Sequence, residues 1–152
     1  MQHFFYHVEA SGELISIFSH FPSMSEFDES RRRVLIVEDE WLVREMLADV
    51  LEEAGFATIQ AASAAEALRL LPREALLDYV IMDVEMPGVL DGVDLARLVV
   101  VQRPETSVLI VSGCRPRALP LGVGFLGKPF TPAELLRALS NLAAWAPVRV
   151  AS

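Results

Sequence analysis

From residue 33 onward, short apolar runs alternate with stretches whose apolar residues recur every three or four positions. Arg33–Val37 reads as a first strand. Leu42, Val43, Met46, Leu47, Val50, Leu51 and Ala54 then form a helical stripe that stops at Gly55. Phe56–Ala61 reads as a second strand. Ser63 and Glu66 stand at capping-box spacing and open a helix that Pro72 closes. Tyr79–Met82 is the third strand, followed by a loop through Pro87 and Gly88 and a helix from about Val93 to just before Pro104. Ser107–Val111 and Gly124–Gly127 are the fourth and fifth strands. Thr131 and Glu134 form a second capping box with Pro132 at the first helical position, and Leu135, Leu136, Leu139 and Leu142 line one side of the last helix.

Strands separated by helices of this length imply right-handed crossovers and a parallel sheet. One interval breaks the rhythm. Between Ser112 and Lys128 there is little room for a helix, and Pro116 and Pro120 interrupt it, so a loop or one distorted turn is expected there. Four of the apolar runs end on a polar residue of a particular kind: Glu38 and Asp39, Asp83, Ser112, and Lys128. In an open parallel sheet, ligands collect beyond the carboxyl ends of the strands. Carboxylates, a hydroxyl and an ammonium brought to one edge suit a phosphoryl group and a divalent cation better than they suit packing. Lys128 is the one lysine among thirteen basic residues.

Composition narrows the picture. The 152 residues make one domain's worth of chain, and 53% hydrophobic content with a mean hydropathy of +0.38 fits strands covered on both faces. No apolar stretch approaches the ~20 residues of a membrane span. Net charge is −8, but residues 31–152 hold 13 basic against 16 acidic side chains, with no basic stripe for nucleic acid. Cys114 is the single cysteine, which excludes an internal disulfide and a thiolate zinc site and points to a cytoplasmic protein. Residues 1–30 do not resemble the rest. They lack a basic n-region, and Leu14–Phe18 is too short for a signal-peptide core. Two readings of this leader stay open: a loosely held arm, or a start of translation at Met24. His3, His7 and His20 have no acidic or thiol neighbour at ligand spacing and read as solvated side chains. The expected organisation is therefore a leader over 1–30, one domain over 31–146 and a tail over 147–152, with no C-terminal output domain.

The motifs carry a resemblance. Val34 to Glu40, Val80 to Gly88, Asp91 to Leu95, Ile110 to Gly113 and Lys128 to Phe130 resemble, in the same order, the receiver domain of two-component response regulators. The wording is similar to receivers attached to hybrid histidine kinases and to single-domain regulators related to them. The resemblance implies a flavodoxin-like α/β fold of five parallel strands in the order 2-1-3-4-5, here with the fourth helix short or missing. It implies Asp83 as phosphoacceptor and Mg²⁺ as cofactor. Asp39 and Asp83 would be direct ligands with the Glu85 carbonyl, and Glu38 would act through water. Ser112 would be the hydroxyl that turns toward phosphate, and Lys128 its ion partner, before a cis bond to Pro129. Phe125 would be the aromatic switch. Glu85 and Cys114 occupy the variable positions where phosphate lifetime is tuned.

Each residue also has a plainer role. An isolated Asp83 is a helix cap or turn residue, three acids at a helix start complement its dipole, and Phe125 is a half-buried strand aromatic. Against that, like charges ~4 Å apart cost on the order of 4 kcal/mol at an effective dielectric near 20, so the acidic set calls for a cation. The expected protein is a stand-alone receiver of a bacterial relay, a phospho-switched binding module or phosphate sink and not a turnover enzyme. It would take its phosphoryl group from a histidine kinase or histidine phosphotransfer protein, and would be a monomer or weak dimer without nucleic-acid or membrane contacts. The alternatives are a degenerate receiver acting as a scaffold, which the filled acid, hydroxyl and lysine positions oppose, and an aspartyl-phosphate phosphatase of haloacid-dehalogenase type. The latter would need an Asp-x-Asp on the first strand and a cap. No Walker loop or Gly-x-Gly-x-x-Gly sequence supports nucleotide binding.

Overall fold

Strand and helix alternate through residues 31–143, the part of the chain that the computed structural model describes. The leader, its histidines and Met24, and the end of the chain around Trp145–Pro147, lie outside the described residues. The elements are β1 (Arg33–Val37), α1 (Trp41–Glu53), β2 (Ala57–Ala61), α2 (Ala64–Leu70), β3 (Tyr79–Asp83), α3 (Gly92–Gln102), β4 (Ser107–Ser112), β5 (Val123–Gly127) and α4 (Pro132–Ala143). All five strands are parallel, in the order β2-β1-β3-β4-β5.

The side-chain period of two divides the strands between two cores. Leu35, Val37, Val80, Met82, Val108 and Ile110 face α2 and α3, packing on Ala67, Leu95, Ala96 and Val99. Val34, Ile36, Tyr79, Ile81, Leu109 and Val111 face α1 and α4, packing on Leu47, Ala48, Leu51, Leu135 and Leu139. The central strand β3 is buried at every position, whereas the edge strands β2 and β5 are mostly half-buried. That is why their patterns read as apolar runs of different purity.

The observed boundaries differ from the sequence reading by a residue or so. β2 begins at Ala57, and Phe56 turns its ring edge-on to Tyr79 at 5.9 Å. β5 begins at Val123, and β4 runs on through Ser112. Pro72 does not stop the second helix abruptly: it lies in a 3-10 turn, Leu71–Arg73, that continues α2. α3 begins at Gly92 because Asp91 caps it, its Oδ1 accepting from the Asp94 N–H at 2.8 Å. The apolar stripe of α1 is wider than the face it buries. Leu47, Ala48 and Leu51 are inside, whereas Leu42 and Met46 stand out with Trp41. Among the described residues no helix separates β4 from β5.

Candidate functional site

The sheet order reverses direction at β1, whose neighbours are β2 and β3, and the site lies where β1 and β3 end side by side. Val37 is in register with Met82, so the next residues, Glu38 and Asp83, emerge as neighbours. Asp83 in turn is level with Val111, next to Ser112, and Ser112 is level with Gly127, next to Lys128. Parallel register alone therefore gathers the polar ends that the sequence spreads over ninety residues.

Lys128 joins the acids. Its Nζ donates to Asp83 Oδ2 at 2.7 Å and to Glu38 Oε2 at 3.2 Å. Glu38 is 2% exposed and Asp83 8%, while Asp39 is exposed at the rim. One carboxylate oxygen from each of Glu38, Asp39 and Asp83 lies within 4.8 Å of the others. On one octahedral Mg²⁺, with bonds of about 2.0–2.1 Å, opposite oxygens are about 4 Å apart and adjacent ones about 3 Å, so these three oxygens would have to draw inward to share an ion. Backbone donors fix the orientation of two acids. Glu40 N–H bonds Glu38 Oε1 at 3.2 Å, and Glu85 N–H bonds Asp83 Oδ1 at 3.1 Å. The Glu85 side chain itself is exposed.

Burial raises the Glu38 pKa above the ordinary carboxylate value, and the bond and charge of Lys128 only partly offset it. For Lys128 burial pulls the other way, but its bonds to Asp83 and Glu38 outweigh that and leave its pKa raised. The ammonium is thus held charged between two carboxyl groups, and burial of Glu38 makes its ionisation harder than that of an exposed carboxyl.

Ser112 is buried, and its Oγ accepts from the Cys114 N–H at 3.3 Å. Its carbonyl accepts from the Lys128 N–H at 2.9 Å, which ties the ends of β4 and β5 together. The Lys128–Pro129 bond is cis. Phe125 sits half-buried in β5, with the Arg115 guanidinium 5.1 Å from its ring centre. Glu38, Asp39, Asp83, Glu85, Ser112 and Lys128 come to this one edge, and Phe125 lies further down β5, level with Ile110.

Two residues received no role from the sequence. Gly92 packs against the backbone of the site: a Cβ there would stand 1.9 Å from the Asp83 carbonyl oxygen. The Asp91–Gly92 pair at a helix start was visible, but not the strand end that it touches. Arg44 reaches back from α1 to the acidic turn, donating to the Glu38 and Asp39 carbonyls. Its signal was a cation early in a helix, where the dipole disfavours one.

A family model described as "Response regulator receiver domain" matches residues 34–140. A probable transcriptional regulatory protein of Picosynechococcus is 34% identical over 119 residues, 70% of this chain and 47% of its own length. Chemotaxis protein CheY of Thermotoga maritima is 29% identical over 118 residues, 73% of this chain and 97% of its own. The chain thus spans about half the length of the Picosynechococcus protein and nearly all of CheY. The crystal structure of response regulator protein TrrA of Thermotoga maritima, in complex with Mg²⁺ and BeF, superimposes with a TM-score of 0.65 at 27% identity, covering 73% of this chain and 98% of that one.

Proposed function

Because this chain belongs to the response regulator receiver family of two-component signalling, we propose that it accepts a phosphoryl group on Asp83 from a phosphohistidine of a partner protein in the cytoplasm. The partner would be a histidine kinase or a histidine phosphotransfer protein, and the receiver unit would span residues 31–146. The observation that carries the proposal is the bridge of Lys128 between Asp83 and Glu38, beside a third acid within cation-binding distance.

Phosphoryl transfer passes through a loose transition state, so placement and charge neutralisation matter more than nucleophile strength. A carboxylate oxygen of Asp83 attacks phosphorus as the bond to the donor imidazole nitrogen breaks, and the leaving electron pair returns to that nitrogen. Asp39, Asp83 and the Glu85 carbonyl would hold Mg²⁺ directly and Glu38 would hold it through water. When bound, the ion neutralises charge on the carboxylates and the phosphoryl oxygens. The TrrA structure, which carries Mg²⁺ and BeF, supports such a site here. Lys128 already lies 2.7 Å from Asp83 and would move its bond to a phosphate oxygen. Ser112 would exchange the Cys114 N–H for the phosphate, and Phe125 would turn into the space vacated. The output is a change in which protein is preferred at the β4–β5 and α4 face, or onward flow of phosphate.

The test is intact mass after incubation with acetyl phosphate and Mg²⁺, for wild type and Asp83→Asn, with and without chelator. A Mg²⁺-dependent, alkali-labile gain of one phosphoryl group, absent in the variant, is the expected result. No uptake, together with no binding of beryllofluoride, would leave the chain a scaffold.

A further inference from the structure

The start of α1 is built differently from the other described helices. Ser63, Asp91 and Thr131 each cap their helix through a side-chain oxygen. At α1 the capping position is Glu40, which makes no side-chain cap, and the first turn, Trp41 to Val43, holds no acid. The first charged side chain in the helix is Arg44, a cation near the positive end of the dipole, where it does not stabilise the helix. Its place is explained by what it holds.

Helical side chains lean toward the N-terminus, so a residue one turn in can reach back over the chain that enters the helix. Arg44 does this. One terminal nitrogen donates to the carbonyl of Glu38 and, at 3.5 Å, to that of Asp39; Nε donates to Gln60 Oε1 on β2 at 3.3 Å. The Glu38 and Asp39 carbonyls lie beyond the β1 ladder and before the helix, where regular structure offers no partner. One guanidinium thereby ties α1, the turn that carries two of the three clustered acids, and the neighbouring strand. Its bonds go to backbone and amide carbonyls, so Arg44 itself takes up no carboxylate oxygen of the cluster. Lys128 does the opposite, occupying one oxygen each of Glu38 and Asp83.

We propose that Arg44, anchored on Gln60, is the positioning residue that holds the Glu38–Asp39 turn in cation-binding shape. The inference rests on the reading of this cluster as a Mg²⁺ site. It predicts a sign that charge alone does not give. Removing a cation near a cation site should tighten Mg²⁺ by Coulomb attraction, whereas loss of positioning weakens it.

The experiment is calorimetric titration of the full-length protein with Mg²⁺ for wild type, Arg44→Ala, Arg44→Lys and Gln60→Ala, each verified as folded by circular dichroism. Arg44→Ala is expected to bind Mg²⁺ about tenfold more weakly, the scale on which second-layer partners of metal ligands act. Arg44→Lys, which keeps a donor for the carbonyls, should recover part of the loss, and Gln60→Ala should lose less than Arg44→Ala. Unchanged or tighter binding by folded Arg44→Ala overturns the proposal. If that variant does not fold, unchanged binding by Gln60→Ala overturns it instead. Failure of wild type to bind Mg²⁺, or full binding by Asp39→Asn, would sink the metal-site reading rather than the role of Arg44.

Discussion

Lys128 and Glu38 make opposite demands on the same few ångströms. Breaking a buried pair leaves its partner uncompensated, so Lys128→Ala should destabilise the protein, whereas removing an acid from the cluster should relieve it. Glu38→Gln is expected to raise stability at neutral pH without metal, by roughly 1 kcal/mol, as a site strained for function allows. The sign with pH follows from the raised pKa of Glu38. A carboxyl group raised in the fold stabilises most below its unfolded value near 4.5, and the contribution is lost as pH climbs through the folded value. Urea unfolding should therefore show the advantage of Glu38→Gln shrinking as pH falls from 7 toward 4.5; a constant difference would show that Glu38 ionises freely. Gly92 supplies a second prediction at this scale. A methyl group 1.9 Å from the Asp83 carbonyl must push strand and helix apart, so Gly92→Ala should cost about 2–3 kcal/mol, in line with overpacked sites. A change in urea midpoint too small to see would mean that the α3 start moves without resistance.

Among elements, α4 carries its own start signal. Thr131 and Glu134 exchange bonds reciprocally: the Glu134 N–H donates to Thr131 Oγ1 at 3.3 Å, and the Thr131 N–H to Glu134 Oε2 at 2.7 Å. Thr131→Ala should lower stability by about 1 kcal/mol in thermal or urea unfolding. The Thr131 N–H and hydroxyl hold the Glu134 pKa below the ordinary value, so its contribution exists above about pH 4.5 and fades as pH drops through the folded value. Glu134→Gln should match wild type only in acid. This box was legible in the sequence because capping is local, and so were the five strands and the loop between β4 and β5, whose prolines exclude a helix. The Ser63 box was legible too, although Glu66 reaches the N–H of Ala62 rather than that of the cap. What was not legible depended on tertiary neighbours. The α1 stripe does not tell which flank the sheet covers: Leu42 and Met46 belong to it and are exposed. The polar residues gathered at the strand ends were readable, but Gly92 and Arg44 act through contacts that no spacing encodes.

For the molecule as a whole, a cation that binds only the folded state should stabilise it by mass action, about 2.7 kcal/mol at a hundred times the dissociation constant. Thermal unfolding of wild type should shift upward with Mg²⁺ in proportion to the logarithm of its concentration, and Asp39→Asn should remove the shift. A Mg²⁺-independent melting temperature would leave the acids without an ion. Fold and site are here one object. Lys128 and Glu38 are ninety positions apart, Lys128 and Asp83 forty-five. Lys128 follows the half-buried edge strand, whose pairing among the described residues is with β4 alone. An edge strand that has peeled away would leave most of the core in place while withdrawing the ammonium from the acids. On the proposed function, competence to take up phosphate would then report on the docking of this edge strand, so a chain with the strand undocked would be silent rather than wrongly active.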